Sequence, residues 1–216
     1  MKYVFIGDIH GKVEIVEKAL MREGRKVFVG DFMDSYDRTA DDHKKCLELV
    51  FSAIKKDPEN HYFILGNHEL SYMFPHMRCS GHTKWGAVIF DEFREEFKKL
   101  TLPYLFIDPT FLISHAGMSA YWFNQICKGD LSHLHEALEN AVDDRADTWL
   151  YAIGQARGGR EIQGGIFWCD FKHEFEPIKG LTQVFGHTRG LKIRNTGDNW
   201  CIDCLDIVPN FLEMEV

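Results

Sequence analysis

The fold class is decided by the stretch Tyr3-Val4-Phe5-Ile6-Gly7-Asp8-Ile9-His10-Gly11, in which four apolar residues run directly into glycine, aspartate and histidine. A short apolar run without polar alternation is typical of a strand that is buried on both faces of its sheet. The glycine that follows lets the backbone turn sharply. The stretch therefore predicts a buried strand whose carboxyl end presents polar side chains.

The same pattern occurs four more times along the chain. Apolar runs at residues 26–29, 62–65, 110–113 and 182–185 lead into Gly30-Asp31, Gly66-Asn67-His68, Ser114-His115 and Gly186-His187. Stretches with helical periodicity lie between the first runs, at residues 13–20 and 46–54. Alternating strands and helices predict parallel βαβ units, in which ligands gather beyond the carboxyl ends of the strands. We therefore expect the five polar motifs to converge on one site.

The part of the chain after residue 100 shows a different pattern. Helical periodicity at residues 120–127 and 131–142 is accompanied by strand-like segments at 162–168, 182–185, 191–194, 200–205 and 207–212. These segments predict a second, partly antiparallel sheet that packs on the first, with helices outside. No linker, repeat or low-complexity segment interrupts the chain, so we expect a single domain over residues 1–216.

Bulk composition narrows the classes of function. The formal net charge is −8, which argues against an extended nucleic-acid surface because such surfaces need clustered Lys and Arg. No apolar run reaches the roughly 18 residues that span a bilayer, and no signal peptide is recognisable. The scattered cysteines, including Cys201 and Cys204, favour reduced thiols over disulfides or a zinc site. We expect a cytoplasmic protein without a membrane partner.

The side chains at the five strand ends are types that ligate metal ions. Asp8 and His10 are two residues apart, so both can project to the same side of an extended chain. A second carboxylate, Asp31, could bridge two cations through its two oxygens. Carboxylate, amide and imidazole donors without a thiolate suit two ions of Mn²⁺, or of Fe or Zn²⁺, better than Ca²⁺ or Mg²⁺. The predicted ligands are Asp8, His10, Asp31, Asn67, His115 and His187.

The five motifs resemble, in their order along the chain, the signature blocks of the calcineurin-like metallophosphoesterases. They resemble in particular the phosphoprotein phosphatase branch, which includes bacterial and phage serine/threonine phosphatases and bacterial diadenosine tetraphosphatases. The blocks are Gly7-Asp8-Ile9-His10-Gly11, Gly30-Asp31-Phe32-Met33-Asp34, Gly66-Asn67-His68-Glu69, His115-Ala116-Gly117 and Gly186-His187-Thr188. The resemblance implies an α/β fold, the four-layer αββα sandwich, with two metal ions that share Asp31. It also implies that a water or hydroxide between the two metals attacks phosphorus.

The resemblance further implies which ligand serves which metal and which residues assist. The first metal would be held by Asp8, His10 and Asp31, and the second by Asp31, Asn67, His115 and His187. His68 would protonate the leaving oxygen, and Asp34 would orient its imidazole. Glu69 is expected to be structural, as an acidic side chain that the dipole favours at a helix start. The aromatic-rich stretch at residues 72–85 predicts a flap over the cleft.

The sequence departs from the family at the arginine that grips the substrate phosphate. The family block runs Gly-Asp-x-x-Asp-Arg-Gly, but here Ser35 follows Asp34 and the next arginine is Arg38. We expect Arg38 to bind the substrate phosphate, with a solvated loop arginine as the alternative. The rival candidates for this contact are Lys179, Arg157 and Arg160.

Three functions are compatible with these motifs. The leading hypothesis is a serine/threonine protein phosphatase, which hydrolyses phosphomonoesters in phosphorylated proteins and also small aryl phosphates. A nucleotide hydrolase of the symmetrical diadenosine tetraphosphatase type is the alternative, because the same fold and metal site do not fix the substrate. A non-catalytic scaffold of the same fold is a remote third, since such a protein is expected to have lost ligands or the acid, His68.

Overall fold

Two five-stranded sheets form the centre of the fold, as the computed structural model of residues 1–143 and 145–216 shows. The strands are β1 (Lys2–Ile6), β2 (Arg25–Phe28), β3 (His61–Ile64), β4 (Thr101–Leu102), β5 (Leu105–Asp108), β6 (Phe111–Ile113), β7 (Thr182–Phe185), β8 (Arg194–Thr196), β9 (Asn199–Cys201) and β10 (Leu212–Glu215). The helices are α1 (Val13–Leu20), α2 (Ala40–Lys56), α3 (Asn67–Met73), α4 (Lys84–Glu92), α5 (Arg94–Leu100), α6 (Ala120–Cys127) and α7 (Leu134–Ala141).

Each sheet has a parallel centre and at least one antiparallel edge. The first sheet has the order β10-β1-β2-β3-β4, in which β1 to β4 run parallel and β10 pairs antiparallel with β1. The second sheet has the order β5-β6-β7-β9-β8, with β6, β7 and β9 parallel and both edge strands antiparallel. The predicted second sheet with an antiparallel component is therefore confirmed.

The two sheets pack face to face through alternate residues of their strands. Phe5 of β1 and Val184 of β7 lie in one buried apolar cluster that both sheets share. The neighbour of Phe5, Val4, belongs instead to a cluster that contains residues of α1 and α2. Leu112 of the second sheet lies in that cluster beside residues of α6 and α7. Because successive strand residues point to opposite faces, the layers are helix, sheet, sheet and helix, which confirms the predicted αββα sandwich.

The elements predicted next to the polar motifs are confirmed. Strands β1, β2, β3, β6 and β7 lie within one residue of their predicted positions, and α6 coincides with the predicted helix at residues 120–127. The helix predicted at residues 131–142 is present as a 3₁₀ turn, Leu131–His133, followed by α7. Within the described residues, none of the helices combines the length and apolar character that crossing a bilayer requires.

The other strand predictions after residue 160 are wrong, shifted or too long. No strand forms at residues 162–168: the chain bends at 162–163 and turns at 166–168, where the backbone N–H groups of Trp168 and Cys169 both donate to the carbonyl of Gly165. β8 begins only at Arg194, β9 ends at Cys201 and β10 begins only at Leu212. The apolar side chains of residues 166–169 are nevertheless buried. Their composition indicated burial correctly, but burial inside a turn does not require strand pairing.

Candidate metal centre

The polar motifs at five strand ends meet at one point. The imidazole Nε2 of His115 lies 2.9 Å from Oδ1 of Asn67, 3.1 Å from Nδ1 of His187 and 3.2 Å from Oδ2 of Asp31. The carboxylate of Asp8 accepts the backbone N–H of His187 at 3.1 Å, which ties the end of β1 to the end of β7. The structure therefore brings these predicted ligands together, across the gap between the two sheets.

Asp31 lies at the centre of the group. Its Oδ2 is 4.0 Å from Nε2 of both His10 and His68, in addition to its contact with His115. Two sets of possible ligand atoms, His10-Asp31-His68 and Asp31-His115-His187, share this residue. Burial opposes the charge of Asp31, but the neighbouring imidazoles of His115 and His68 outweigh it and hold the pKa of Asp31 well below its usual value. Asp31 is thus placed to serve two cations at once.

The hydrogen bonds of the histidines fit a role as metal ligands. Nδ1 of His10 donates to the carbonyl of Asp34 at 2.7 Å, and Nδ1 of His115 donates to the carbonyl of Val29 at 2.7 Å. Such bonds fix the tautomer, so that in the neutral ring Nε2 offers its lone pair to the centre. Burial, helped by the neighbouring His68, lowers the pKa of His10 to about 4 and favours the neutral ligand form. This O and N donor set suits divalent transition-metal ions.

Backbone strain is concentrated at this centre. His10, Asp31, Asp34 and His187 have φ angles of 46°, 53°, 64° and 65°, a region that residues other than glycine seldom adopt. Each such residue costs about 1–2 kcal/mol, so the surrounding contacts must hold them. The fully buried carboxylate of Glu69 supplies part of this support.

Glu69 holds the loop that follows β2. Its two oxygens accept the backbone N–H groups of Asp31, Phe32 and Met33 at 2.9–3.0 Å, and also that of Gly66 at 2.9 Å. Glu69 lies in the first turn of α3, as predicted for an acidic side chain at a helix start, and its bond to Gly66 is an additional contact there. The three bonds across to the β2 loop were not predicted, and nothing local in the sequence indicates them.

The predicted acid and its orienting carboxylate are in contact. Nδ1 of His68 donates to Oδ2 of Asp34 at 2.8 Å, and the other oxygen of Asp34 accepts the hydroxyl of Tyr72 in a short hydrogen bond. Burial lowers the pKa of His68, but the charge of Asp31 and the bond to Asp34 outweigh it and hold this pKa well above its usual value. His68 is therefore favoured in the protonated form, which can donate a proton. The contribution of Tyr72 was not predicted.

The predicted flap lies against this pair. Residues 78–81 line the cavity at the centre, and Gly81, at φ 91°, passes directly over Asp34 and His68. A Cβ at Gly81 would lie 3.1 Å from Cβ of Asp34 and 3.5 Å from Cε1 of His68, so glycine allows the close approach. His82 of the flap stacks on Tyr72, with ring centroids 4.2 Å apart, and is absent from the ligand clusters found among the described residues.

Comparison with known proteins agrees with this geometry. The sequence profile of the calcineurin-like phosphoesterases matches residues 1–191. The chain belongs to the calcineurin-like phosphoesterase family. Membership shows that the protein is a phosphoesterase, a hydrolase of a family that uses divalent metal ions, and it confirms the resemblance on which the fold and enzyme class were predicted.

Solved structures with the same fold include phosphatases. A cold-active protein-tyrosine phosphatase from a Shewanella species is 15% identical, with a TM-score of 0.65 over 99% of this chain and 75% of that chain. A protein serine/threonine phosphatase from Saccharomyces cerevisiae, described as similar to human PP5, is 18% identical, with a TM-score of 0.58 over 94% of this chain and 66% of that chain. At such low identity the likeness shows the fold alone. No curated protein sequence is significantly similar.

Of the four basic residues that were predicted to bind the substrate phosphate, two line the cavity of this phosphoesterase and two do not. Arg157 lines it, and its NH2 group lies 2.9 Å from both Oγ1 of Thr188 and Oδ2 of Asp170. Arg38 also lines it, but its guanidinium forms a bidentate pair with Glu14 at 2.8 and 3.3 Å. Lys179 and Arg160 are exposed and do not line the cavity. Other basic residues that line it were missed because no motif marks them, namely Lys12, Lys18, Arg78 and Arg189.

Proposed function

We propose that this phosphoesterase is a phosphomonoesterase that acts on phosphoserine and phosphothreonine in proteins. The observation that supports this substrate is the bond between His68 and Asp34 beside the ligand cluster. Serine and threonine are poor leaving groups, since their alkoxides are strongly basic, so their esters need a general acid more than aryl esters do. The cavity, about 990 Å³ in volume, also leaves room for a peptide side chain and its neighbours.

We assign the metal ligands as the sequence predicted. Asp8, His10 and Asp31 hold one ion, and Asp31, Asn67, His115 and His187 hold the other. Mn²⁺ is the first candidate, and Fe or Zn²⁺ would suit the same donors. Bound there, two divalent ions supply a water of lowered pKa and neutralise charge on the phosphate.

The protein's own groups complete the reaction in this proposal. His68 gives its proton to the leaving oxygen, and Asp34 keeps Nδ1 of the imidazole bonded so that Nε2 faces the centre. Arg157 binds the outward oxygens of the phosphate, because Asp170 and Thr188 engage only its NH2 group, whereas Glu14 engages both terminal nitrogens of Arg38. Arg38 joins it only if the pair with Glu14 opens.

The nucleotide hydrolase remains the second candidate, and one observation favours it. The exposed Tyr36 lines the same cavity, and its ring could stack on a base. The tyrosine phosphatase among the structural neighbours adds a third substrate to test, since its aryl ester needs less help from an acid.

The test is a substrate comparison with metal-depleted protein. We expect no turnover after chelation, and recovery with Mn²⁺ on phosphoserine and phosphothreonine peptides at higher kcat/KM than on phosphotyrosine peptide or diadenosine tetraphosphate. His68→Asn should lower kcat on the serine peptide by about 10²–10⁴, the range for general acid catalysis, and less on p-nitrophenyl phosphate. Preference for diadenosine tetraphosphate would assign the nucleotide function instead, and full activity in EDTA would contradict the metal site.

A further inference from the structure

The cavity extends beyond the ligand cluster along helix α1. We call this extension the α1 arm, and its walls include Lys12, Ile15, Lys18, Arg189, Asp206 and Ile207. Lys12 precedes α1 and Lys18 lies in its second turn. At about 1.5 Å per residue, six residues separate them by roughly 9 Å along the helix axis. The arm is therefore long enough for a part of the substrate that lies well outside the reacting phosphate.

The α1 arm carries more positive than negative charge. The side chain of Lys12 is only 7% exposed, and its Nζ donates to the carbonyl of Ile9 at 3.1 Å and pairs with Oδ1 of Asp206 at 2.5 Å. Nε of Arg189 lies 3.2 Å from the other oxygen of Asp206. One carboxylate thus faces two cations. A structural ion pair needs one cation, so the second leaves a surplus charge at the wall of the cavity.

Two of the three cations of the α1 arm, Arg189 and Lys18, are exposed and can meet a ligand. Within residues 1–143 and 145–216, Arg189 makes no other ion pair, and its side chain is 62% exposed. Lys18 is exposed and has no acidic partner in that part of the chain. Besides the ligand cluster, Asp34 and Asp206, three more acids line the cavity: Glu14 is engaged by Arg38 through two nitrogens, Asp37 accepts the hydroxyl of Ser35, and Asp203 is buried. The arm therefore presents Arg189 and Lys18 to the cavity.

We propose that the α1 arm is an anion subsite that binds a second negatively charged group of the substrate. This rests on the proposed phosphomonoesterase function and adds a feature of its substrate, a carboxylate or phosphate joined to the reacting ester by a short apolar spacer. The spacer lies along Ile15 and Ile207, which line the arm without charge. Charge complementarity selects the anion, because Arg189 can form charge-assisted hydrogen bonds to either group.

The two sources of the anion can be tested side by side with Mn²⁺-loaded protein. The first substrate series compares alkanediol bisphosphates, with spacers of increasing length, with the monophosphates of the same diols. The second series compares phosphoserine peptides that differ only by Glu or Gln beside the phosphoserine. The measured quantity is the ratio of kcat/KM for the substrate with the second anion to that of the substrate without it.

We expect this ratio to exceed one in at least one substrate series. It should fall about fivefold in Arg189→Gln and in Lys18→Gln, as for partly exposed charge-assisted bonds. The matched control is Lys192→Gln, an exposed lysine that does not line the cavity, and it should keep the parent ratio. Added salt should also reduce the ratio, because the cations are exposed. A response to bisphosphates assigns the second group as phosphate, and a response to peptides assigns it as carboxylate.

The proposal is overturned if monoesters are hydrolysed but the ratio equals one in both substrate series, or if neither Arg189→Gln nor Lys18→Gln changes the ratio. Absence of hydrolysis for every phosphoester is a different result, because it contradicts the proposed function itself. Both variants change exposed side chains, so a folded protein is expected, and an unchanged melting temperature verifies it.

Discussion

The hydroxyl of Tyr72 donates to one oxygen of Asp34, while the other oxygen of Asp34 accepts the imidazole N–H of His68. The same hydroxyl accepts the backbone N–H of Thr83 at 3.0 Å, so it also fixes the end of the flap. A Cβ at Gly86 would lie 2.2 Å from this oxygen, so only glycine at this position leaves room for the hydroxyl of Tyr72. Tyr72 therefore helps to orient the proposed acid, His68, indirectly through Asp34.

The first prediction concerns this indirect support. In Tyr72→Phe the carboxylate of Asp34 loses one charge-assisted bond, worth about 1.5–3 kcal/mol, and holds His68 less firmly. We expect kcat on alkyl phosphates to fall by roughly tenfold, with a smaller loss on p-nitrophenyl phosphate and unchanged metal content. Tyr62→Phe is the matched control, because among the described residues the hydroxyl of Tyr62 bonds only the carbonyl of Glu59, away from the cavity. Equal losses on both esters would argue that Tyr72 is merely structural.

The second prediction concerns Glu69. Glutamine at this position keeps the size of the side chain but replaces one accepting oxygen by an NH₂ group, which would face backbone donors in a fully buried place. We expect Glu69→Gln to lower the free energy of unfolding by about 2–4 kcal/mol and to reduce metal content, because the loop that carries Asp31 loosens. Thermal unfolding and metal analysis measure the two effects. Glu95→Gln on the exposed surface of α5 is the control, and an equal melting temperature in both variants would refute the prediction.

The third prediction concerns Asp31. An amide in its place supplies one weaker oxygen donor where two cations need a shared carboxylate. We expect Asp31→Asn to retain fewer than two ions per chain and to lose more than about a hundredfold in kcat, since the loss of an outer partner alone costs 10–100-fold. Asp198→Asn, at an exposed turn, should keep both. Two ions and normal kcat in Asp31→Asn would remove Asp31 from the bridging role.

The fourth prediction separates the two arginines of the cavity. We expect Arg157→Ala to lower kcat/KM by about 2–4 kcal/mol of transition-state stabilisation, comparable to the loss of one oxyanion donor. Arg157→Lys should not restore it, because one ammonium cannot make two parallel bonds. Arg38→Ala should cost less, since Glu14 engages both terminal nitrogens of Arg38, whereas Asp170 engages only one of Arg157. A larger loss for Arg38→Ala would return the phosphate contact to Arg38, as the sequence first suggested.

The sequence predicted those parts of the site that local pattern encodes. Asp8, Asp31 and His187 each follow an apolar run and a glycine, so chain order and strand burial were enough to bring them together. The cluster of Lys12, Asp206 and Arg189 could not be predicted in this way, because its members are brought together only by the tertiary fold.

The sequence also did not predict the hydrogen bonds that support the site between residues far apart in the chain. The bonds of Glu69 to the β2 loop span 36–38 residues, and the bond between Tyr72 and Asp34 spans 38. Such contacts depend on how the layers pack and leave no periodicity behind. For the same reason the sequence predicts residues 166–168 as part of a strand, although they form a buried turn.

The bond between the backbone of His187 and the carboxylate of Asp8 joins residues 179 positions apart. At a synthesis rate of about 5–20 residues per second, Asp8 is made roughly 10–40 s before His187. During that interval a nascent chain can present the early ligands but cannot complete the centre. In the proposed assignment the second ion has His187 among its ligands, so its site cannot be complete while translation is still far from that histidine, and loading of the second ion belongs to the final stage of biogenesis.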